Sequence, residues 1–123
     1  PVQDVLERLR GVFVVGAPAQ AAAVAALADE AHQRQAIEHN ARWLAWLAAE
    51  LEALGIRTLP AHGNFLCMDF GDAERCAGAD LALRRRGLIP RTLAEYGMPG
   101  LLRLTVGLEA HNRAVVETLA AAL

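Results

Sequence analysis

The sequence predicts an α+β fold: a two-layer sandwich in which a mostly antiparallel sheet of about four short strands packs against helices, with a long N-terminal helix. Apolar residues make up 54% of the 123 residues and charged residues 21%, which suits one domain with a modest core. Short apolar runs of strand length alternate with longer segments of helical spacing. Their order is helix, strand, strand, helix, strand, strand, helix, which is typical of this class.

The N-terminal part is expected to be mostly helical. Residues 11–18 form an extended apolar connector, and Pro18 suits the first turn of the helix that follows. Residues 19–54 favour helix and would together exceed roughly 50 Å, so we expect a bend or break at 28–32. Gly55 ends the helix. Its buried stripe is expected to comprise Ile37, Leu44, Leu47, Leu51 and Leu54.

The remaining chain is expected to alternate short strands with two helices. Asp72 is placed to cap a helix that ends at Gly87, and Leu81 is expected in its core face. Pro90 places its strand at an edge of the sheet. The run 65–70 is apolar enough to be covered on both faces. Strands are expected at 56–60, 65–70, 88–91 and 101–107, and helices at 71–87 and 109–123.

One strand carries a cation where the neighbouring residues are apolar. Side chains alternate across a strand, so Leu102, Leu104 and Val106 share the core face. Arg103 therefore lies on the opposite face with Thr105. An unpaired buried guanidinium is costly, so it requires an internal acid, exposure to solvent, or a ligand carboxylate or phosphate. All three remain open from the pattern alone.

Composition excludes several classes of partner. The formal net charge of −2 provides no field for nucleic acid. No apolar run approaches the roughly 20 residues of a membrane span, and the start "PVQDVLERLR" lacks a secretory core. We therefore expect a cytoplasmic protein with reduced Cys67 and Cys76. The histidines form no metal-ligand pattern, so no metal is expected. All 12 basic residues are arginine, so no side chain can form a Schiff base.

Three motifs carry a resemblance to a known family. "ALRRRGLIPRTLAEYGMPGLLRLTVGLEAHN", "PAHGNFLCMDFGD" and "APAQAAAVAAL" resemble, in this order, the end of the fold-type I pyridoxal-phosphate-dependent aminotransferases, and most of all the histidinol-phosphate aminotransferases. The resemblance implies residues 1–18 as the connector from a large cofactor domain and 19–123 as the C-terminal small domain. It also implies pyridoxal phosphate as cofactor, a homodimer, and a missing N-terminal large domain that carries the Schiff-base lysine.

The resemblance assigns roles to four residues in substrate binding. Arg103 matches the arginine that holds the anionic end of the small-molecule substrate, and Arg91 matches an arginine that helps to hold its phosphate. Tyr96 matches a loop tyrosine that borders the site. Asn64 matches a motif asparagine whose expected role is structural, bonding backbone at the strand entrance. Leu108 stands where the family has a capping Thr or Ser, which should cost about 1 kcal/mol.

The resemblance implies an enzyme that converts histidinol phosphate and 2-oxoglutarate to imidazole acetol phosphate and glutamate in histidine biosynthesis. This chain alone contains no catalytic or cofactor-binding residue and should be inactive. "GVFVVGAP" departs from the family connector, so an aromatic-amino-acid aminotransferase or a phosphothreonine decarboxylase relative stays open. The alternative from another class is a free-standing, non-catalytic small-molecule-binding α+β domain.

Overall fold

The computed structural model describes residues 2–9 and 15–122, and its contacts divide the chain into two compact units, Pro1–Ala36 and Ile37–Leu123. Part of the predicted extended connector, residues 11–14, lies outside the described residues. The boundary predicted after residue 18 stays a prediction. Among the described residues, none of the helices combines the length and apolar character that a membrane crossing requires.

The N-terminal helices confirm the expected break. Helix α1 spans Val2–Leu9, α2 spans Ala17–Ala28, and α3 begins at Glu30 and continues to Ala53. Asp29 separates α2 from α3, and its Oδ1 accepts a hydrogen bond from the backbone N–H of His32 at 3.0 Å. Pro18 lies in the first turn of α2 as predicted. An aspartate that caps a new helix explains why the polypeptide does not continue as one rod.

The second unit has the predicted α+β architecture. Its sheet has the strand order β1-β2-β4-β3, and every neighbouring pair is antiparallel. The strands are β1 (Arg57–Thr58), β2 (Phe65–Asp69), β3 (Arg91–Thr92) and β4 (Leu101–Thr105); helices α4 (Ala73–Arg85) and α5 (Glu109–Ala122) and a 3₁₀ turn (Ala94–Tyr96) complete the unit with the rest of α3. Strand β3 is shorter than predicted, and it lies at the edge, directly after Pro90.

The core lies between one face of the sheet and the helices. In β4, Leu102 and Leu104 are buried, which confirms the face predicted for them. In β2, Leu66 and Met68 are buried, whereas Phe65 is 39% exposed. The expectation that the run 65–70 is covered on both faces is therefore wrong, because its burial alternates as in a sheet covered on one side.

Two apolar residues predicted in the core are exposed. Leu81 is 51% exposed, since the buried stripe of α4 runs through Cys76, Ala79 and Leu83, and a residue two positions from Leu83 points away from it. Ile37 is 67% exposed, so the stripe of α3 begins later, at the buried Trp43.

The predicted helix ends are confirmed by their geometry. Asp72 Oδ1 accepts a hydrogen bond from the backbone N–H of Arg75 at 2.8 Å, which caps α4. Gly87 follows α4 with φ +74° and Gly55 follows α3 with φ +76°, a region in which side chains larger than hydrogen are strained.

Candidate functional site

Arg103 lies on the side of the sheet that faces away from the helices. Its register partners are Cys67 on β2 and Arg91 on the edge strand β3, and register partners in a sheet point to the same face. The guanidinium carbon lies 4.9 Å from the centre of the Phe65 ring, a cation–π contact that leaves its N–H groups free. The side chain is half-buried.

Arg103 has no acidic partner in the part of the chain that the structure describes. Its five N–H donors make no hydrogen bond or ion pair to a carboxylate of residues 2–9 or 15–122. The sequence left three explanations open for Arg103. One of them, an internal acidic partner, is not found among these residues. A half-buried guanidinium without an acid is well suited to binding a planar or tetrahedral anion.

A cavity of about 340 Å³ lies at the edge of the sheet where β3 pairs with β4, and Arg91 and Arg103 line it. Strand β3 pairs with β4 only as far as Arg103, so among the described strands none covers that edge of β4 beyond it. The polar residues of the lining are Arg91, Arg103, Thr105, His111 and Asn112, and no described acidic residue contributes to it. The local electrostatic environment thus favours an anion over a cation.

Arg91, unlike Arg103, is already engaged. Its Nη2 donates to Glu95 Oε1 at 2.7 Å and to the Tyr96 hydroxyl oxygen at 2.6 Å. The guanidinium also lies 5.4 Å from the centre of the Tyr96 ring. The hydrogen bond to Glu95 raises the pKa of Arg91 above its ordinary value. The structure therefore places the predicted residues Arg91 and Tyr96 together, next to Arg103 in register.

Asn64 is the fourth predicted residue, and it stands apart from these. Its backbone carbonyl accepts a hydrogen bond from the N–H of Val106 at 2.8 Å, which continues the β2–β4 ladder. Its exposed side chain makes no hydrogen bond within the described residues. The link at the strand entrance thus comes from the main chain of Asn64, which any residue could supply.

The sequence did not predict a set of polar contacts around Asn112, which lines the cavity. Asn112 is 2% exposed; its Nδ2 donates to the Gly107 carbonyl at 3.0 Å and its Oδ1 accepts from the Gly107 N–H at 2.8 Å. His39 Nε2 lies 3.0 Å from the same carbonyl oxygen. A Cβ at Gly107 would lie 3.1 Å from the His111 Cβ, so this close approach favours glycine. The sequence feature that could have predicted the burial of Asn112 is its helical spacing from the core residues Val115 and Leu119.

Comparisons with known proteins agree with this architecture. The chain matches the model of the family described as aminotransferase class I and II over residues 1–123. Histidinol-phosphate aminotransferases of Rhodospirillum rubrum and Rhodopseudomonas palustris are 45% and 42% identical to it over 121 residues, 96% and 97% of this chain. The chain covers 33% of each of these relatives, so it spans about a third of their length.

A solved structure shows the same fold. The crystal structure of a Burkholderia pseudomallei protein, assigned as an aminotransferase, matches with a TM-score of 0.80 and 24% identity. The match covers 96% of this chain and 36% of that chain. The α+β arrangement described above is therefore also found in about a third of that longer chain.

Proposed function

Because the chain belongs to the class I and II aminotransferases, we propose that it is the C-terminal small domain of a longer histidinol-phosphate aminotransferase. The whole enzyme would transfer the amino group of histidinol phosphate to 2-oxoglutarate, giving imidazole acetol phosphate and glutamate. This domain would bind the phosphate end of the substrate. Relatives with that name at 42% and 45% identity support the choice of substrate.

The observation that carries the proposal is the guanidinium of Arg103. It lies on the side of the sheet away from the core, and no carboxylate of the described residues pairs with it. A guanidinium can bind two phosphate oxygens with parallel hydrogen bonds, which fixes the orientation of the ligand as well as its position. Arg91, opposite Arg103 in register, would supply the second cation.

The role of these arginines is to position the substrate. An anchor at the phosphate end holds the distant amine in a reactive orientation, and such positioning converts binding energy into rate. Neither arginine needs to exchange a proton, because an anchor acts through its charge and its donated hydrogen bonds. The domain is thus expected to influence kcat/KM strongly without taking part in proton transfer.

Class I and II aminotransferases use pyridoxal phosphate, which supplies an electron sink and is attached through a protein lysine. The residues of this chain do not fit that attachment, since all 12 basic side chains are arginine. The lysine would therefore lie in the two thirds of the relatives' length that this chain does not cover. For the same reason we expect the 123-residue chain alone to be inactive.

The proposal extends to domain organisation and partners. Residues 1–18 would form the connector from the large cofactor domain and residues 19–123 the small domain of a cytoplasmic homodimer. The composition of α2 supports contact with a further domain or subunit: its 12 residues include no charged side chain and none of them is buried. An apolar helix with this exposure is expected to be covered in the complete protein.

The experiment compares amino donors on the full-length protein. We expect kcat/KM for histidinol phosphate, with 2-oxoglutarate as acceptor, to exceed that for phenylalanine by orders of magnitude, because only the first brings a phosphate to Arg103. A preference for phenylalanine would contradict the proposal and indicate an aromatic-amino-acid aminotransferase. Release of carbon dioxide from phosphothreonine would indicate the decarboxylase, and no turnover of any of them would favour a binding domain.

A further inference from the structure

One acidic side chain is hydrogen-bonded to Arg91, the second arginine of the proposed site. Glu95 lies in the 3₁₀ turn Ala94–Tyr96 that follows β3, and its Oε1 accepts a hydrogen bond from Arg91 Nη2 at 2.7 Å. Arg91 and Arg103 leave neighbouring strands on the same face of the sheet. The charge of Glu95 therefore acts on the place where a phosphate would be held between them.

Arg91 is held by a second, uncharged group besides that carboxylate. Tyr96 accepts a second hydrogen bond from the same Nη2 at 2.6 Å, and its ring lies 5.4 Å from the guanidinium carbon. Within the described residues, Nε and Nη1 of Arg91 make no hydrogen bond, so they remain available to a ligand while Nη2 is held. Tyr96 and Glu95 both accept from Nη2 of Arg91, and only Glu95 adds a negative charge.

We propose that Glu95 is an internal counter-ion that weakens phosphate binding at the site of Arg91 and Arg103. This inference rests on the proposed function of those arginines. Two guanidiniums present a charge of about +2 to a phosphate ester, and Glu95 reduces it to about +1. No described acidic residue lines the adjacent cavity. The charge of Glu95 is therefore a large part of the net charge that a bound phosphate would meet. The weaker site would bind the phosphate end less tightly in the ground state and in the transition state alike, which raises KM and leaves kcat little changed.

The test is Glu95→Gln in the full-length protein. Glutamine keeps the oxygen that accepts from Arg91 and removes only the charge, and Glu95 is exposed, so folding should not change. We expect the inhibition constant of inorganic phosphate and the KM of the phosphate-bearing amine to fall roughly three- to tenfold at low ionic strength, with kcat changed little. The gain should shrink at high salt, because screening weakens a charge effect and leaves a purely structural effect unchanged.

Two further variants separate the possible outcomes. Glu30→Gln removes a charge from an equivalent exposed i,i+4 pair, with Arg34 at 3.7 Å, and should leave both constants unchanged. If Arg103→Gln weakens phosphate inhibition but Glu95→Gln leaves it unchanged or weakens it too, the counter-ion role is wrong and the anion site stands. If Arg103→Gln leaves phosphate inhibition unchanged, the proposed function itself is wrong.

Discussion

Replacement of Asn112 by alanine should destabilise the second unit by about 3 kcal/mol. The amide makes two hydrogen bonds with the main chain of Gly107, at 2.8 and 3.0 Å, and Asn112 is 2% exposed. Each bond contributes about 1 kcal/mol, and a part-buried donor left without a partner adds about 1 kcal/mol, the low end of the range for buried donors. Only the Gly107 N–H is orphaned, because the Gly107 carbonyl keeps His39 at 3.0 Å.

Urea unfolding of the 123-residue chain, followed by the fluorescence of Trp43 and Trp46, measures this change. Both tryptophans lie in the second unit. With a slope of about 1–3 kcal/mol per molar urea, the midpoint should fall by about 1–3 M. Asn40→Ala is the matched control: Asn40 is only half-buried and makes one hydrogen bond, to the Gly63 carbonyl at 2.8 Å, so it should cost about 1 kcal/mol or less. An Asn112→Ala shift no larger than that of Asn40→Ala would refute the argument.

Two further predictions concern charge and helix capping. The hydrogen bond from the Gly71 N–H, and next that from Arg57, lower the pKa of Asp69 below 3.8. Because the folded pKa is the lower one, the stabilisation is present above about pH 4 and is lost as the pH falls through the folded pKa. Asp69→Asn should therefore lower the melting temperature at pH 7, and the difference from the wild type should disappear only as the pH falls below the folded pKa. A difference independent of pH would contradict this. Leu108→Ser should stabilise α5 by about 1 kcal/mol in urea unfolding, because it introduces a side-chain acceptor at an exposed N-terminus that lacks one, and an unchanged midpoint would show that the helix is already capped.

Strand alternation and helix-capping rules are sufficient to predict much of the fold from the sequence. Alternation along β4 placed Arg103 opposite the core face, and capping chemistry located Asp72 and Gly87. These features depend on a few adjacent residues, so their geometry is contained in a short stretch of sequence. The break at Asp29 followed from an upper limit on helix length in a small domain.

The remaining features depend on residues distant in sequence or on helix phase. The spacing of Ile37 with the later leucines of α3 and the apolar character of Leu81 predict buried positions, but burial depends on which face of each helix meets the sheet. The link from Asn112 to Gly107 crosses a strand–helix turn, and the contact from His39 spans 68 residues. The pairing of Arg91 with Glu95 requires the 3₁₀ turn, which the sequence indicated only as a loop.

The most direct test of the account is the kinetics of Arg103→Gln in the full-length protein, with Arg85→Gln as control. Arg85 is an exposed arginine near the end of α4 that makes no ion pair among the described residues. With the phosphate-bearing donor, we expect kcat/KM of Arg103→Gln to fall by about 100-fold or more, since a charged bidentate anchor is lost. The absorbance of bound pyridoxal phosphate should stay unchanged, and Arg85→Gln should behave as the wild type. An unchanged kcat/KM for Arg103→Gln would show that this guanidinium does not hold the substrate.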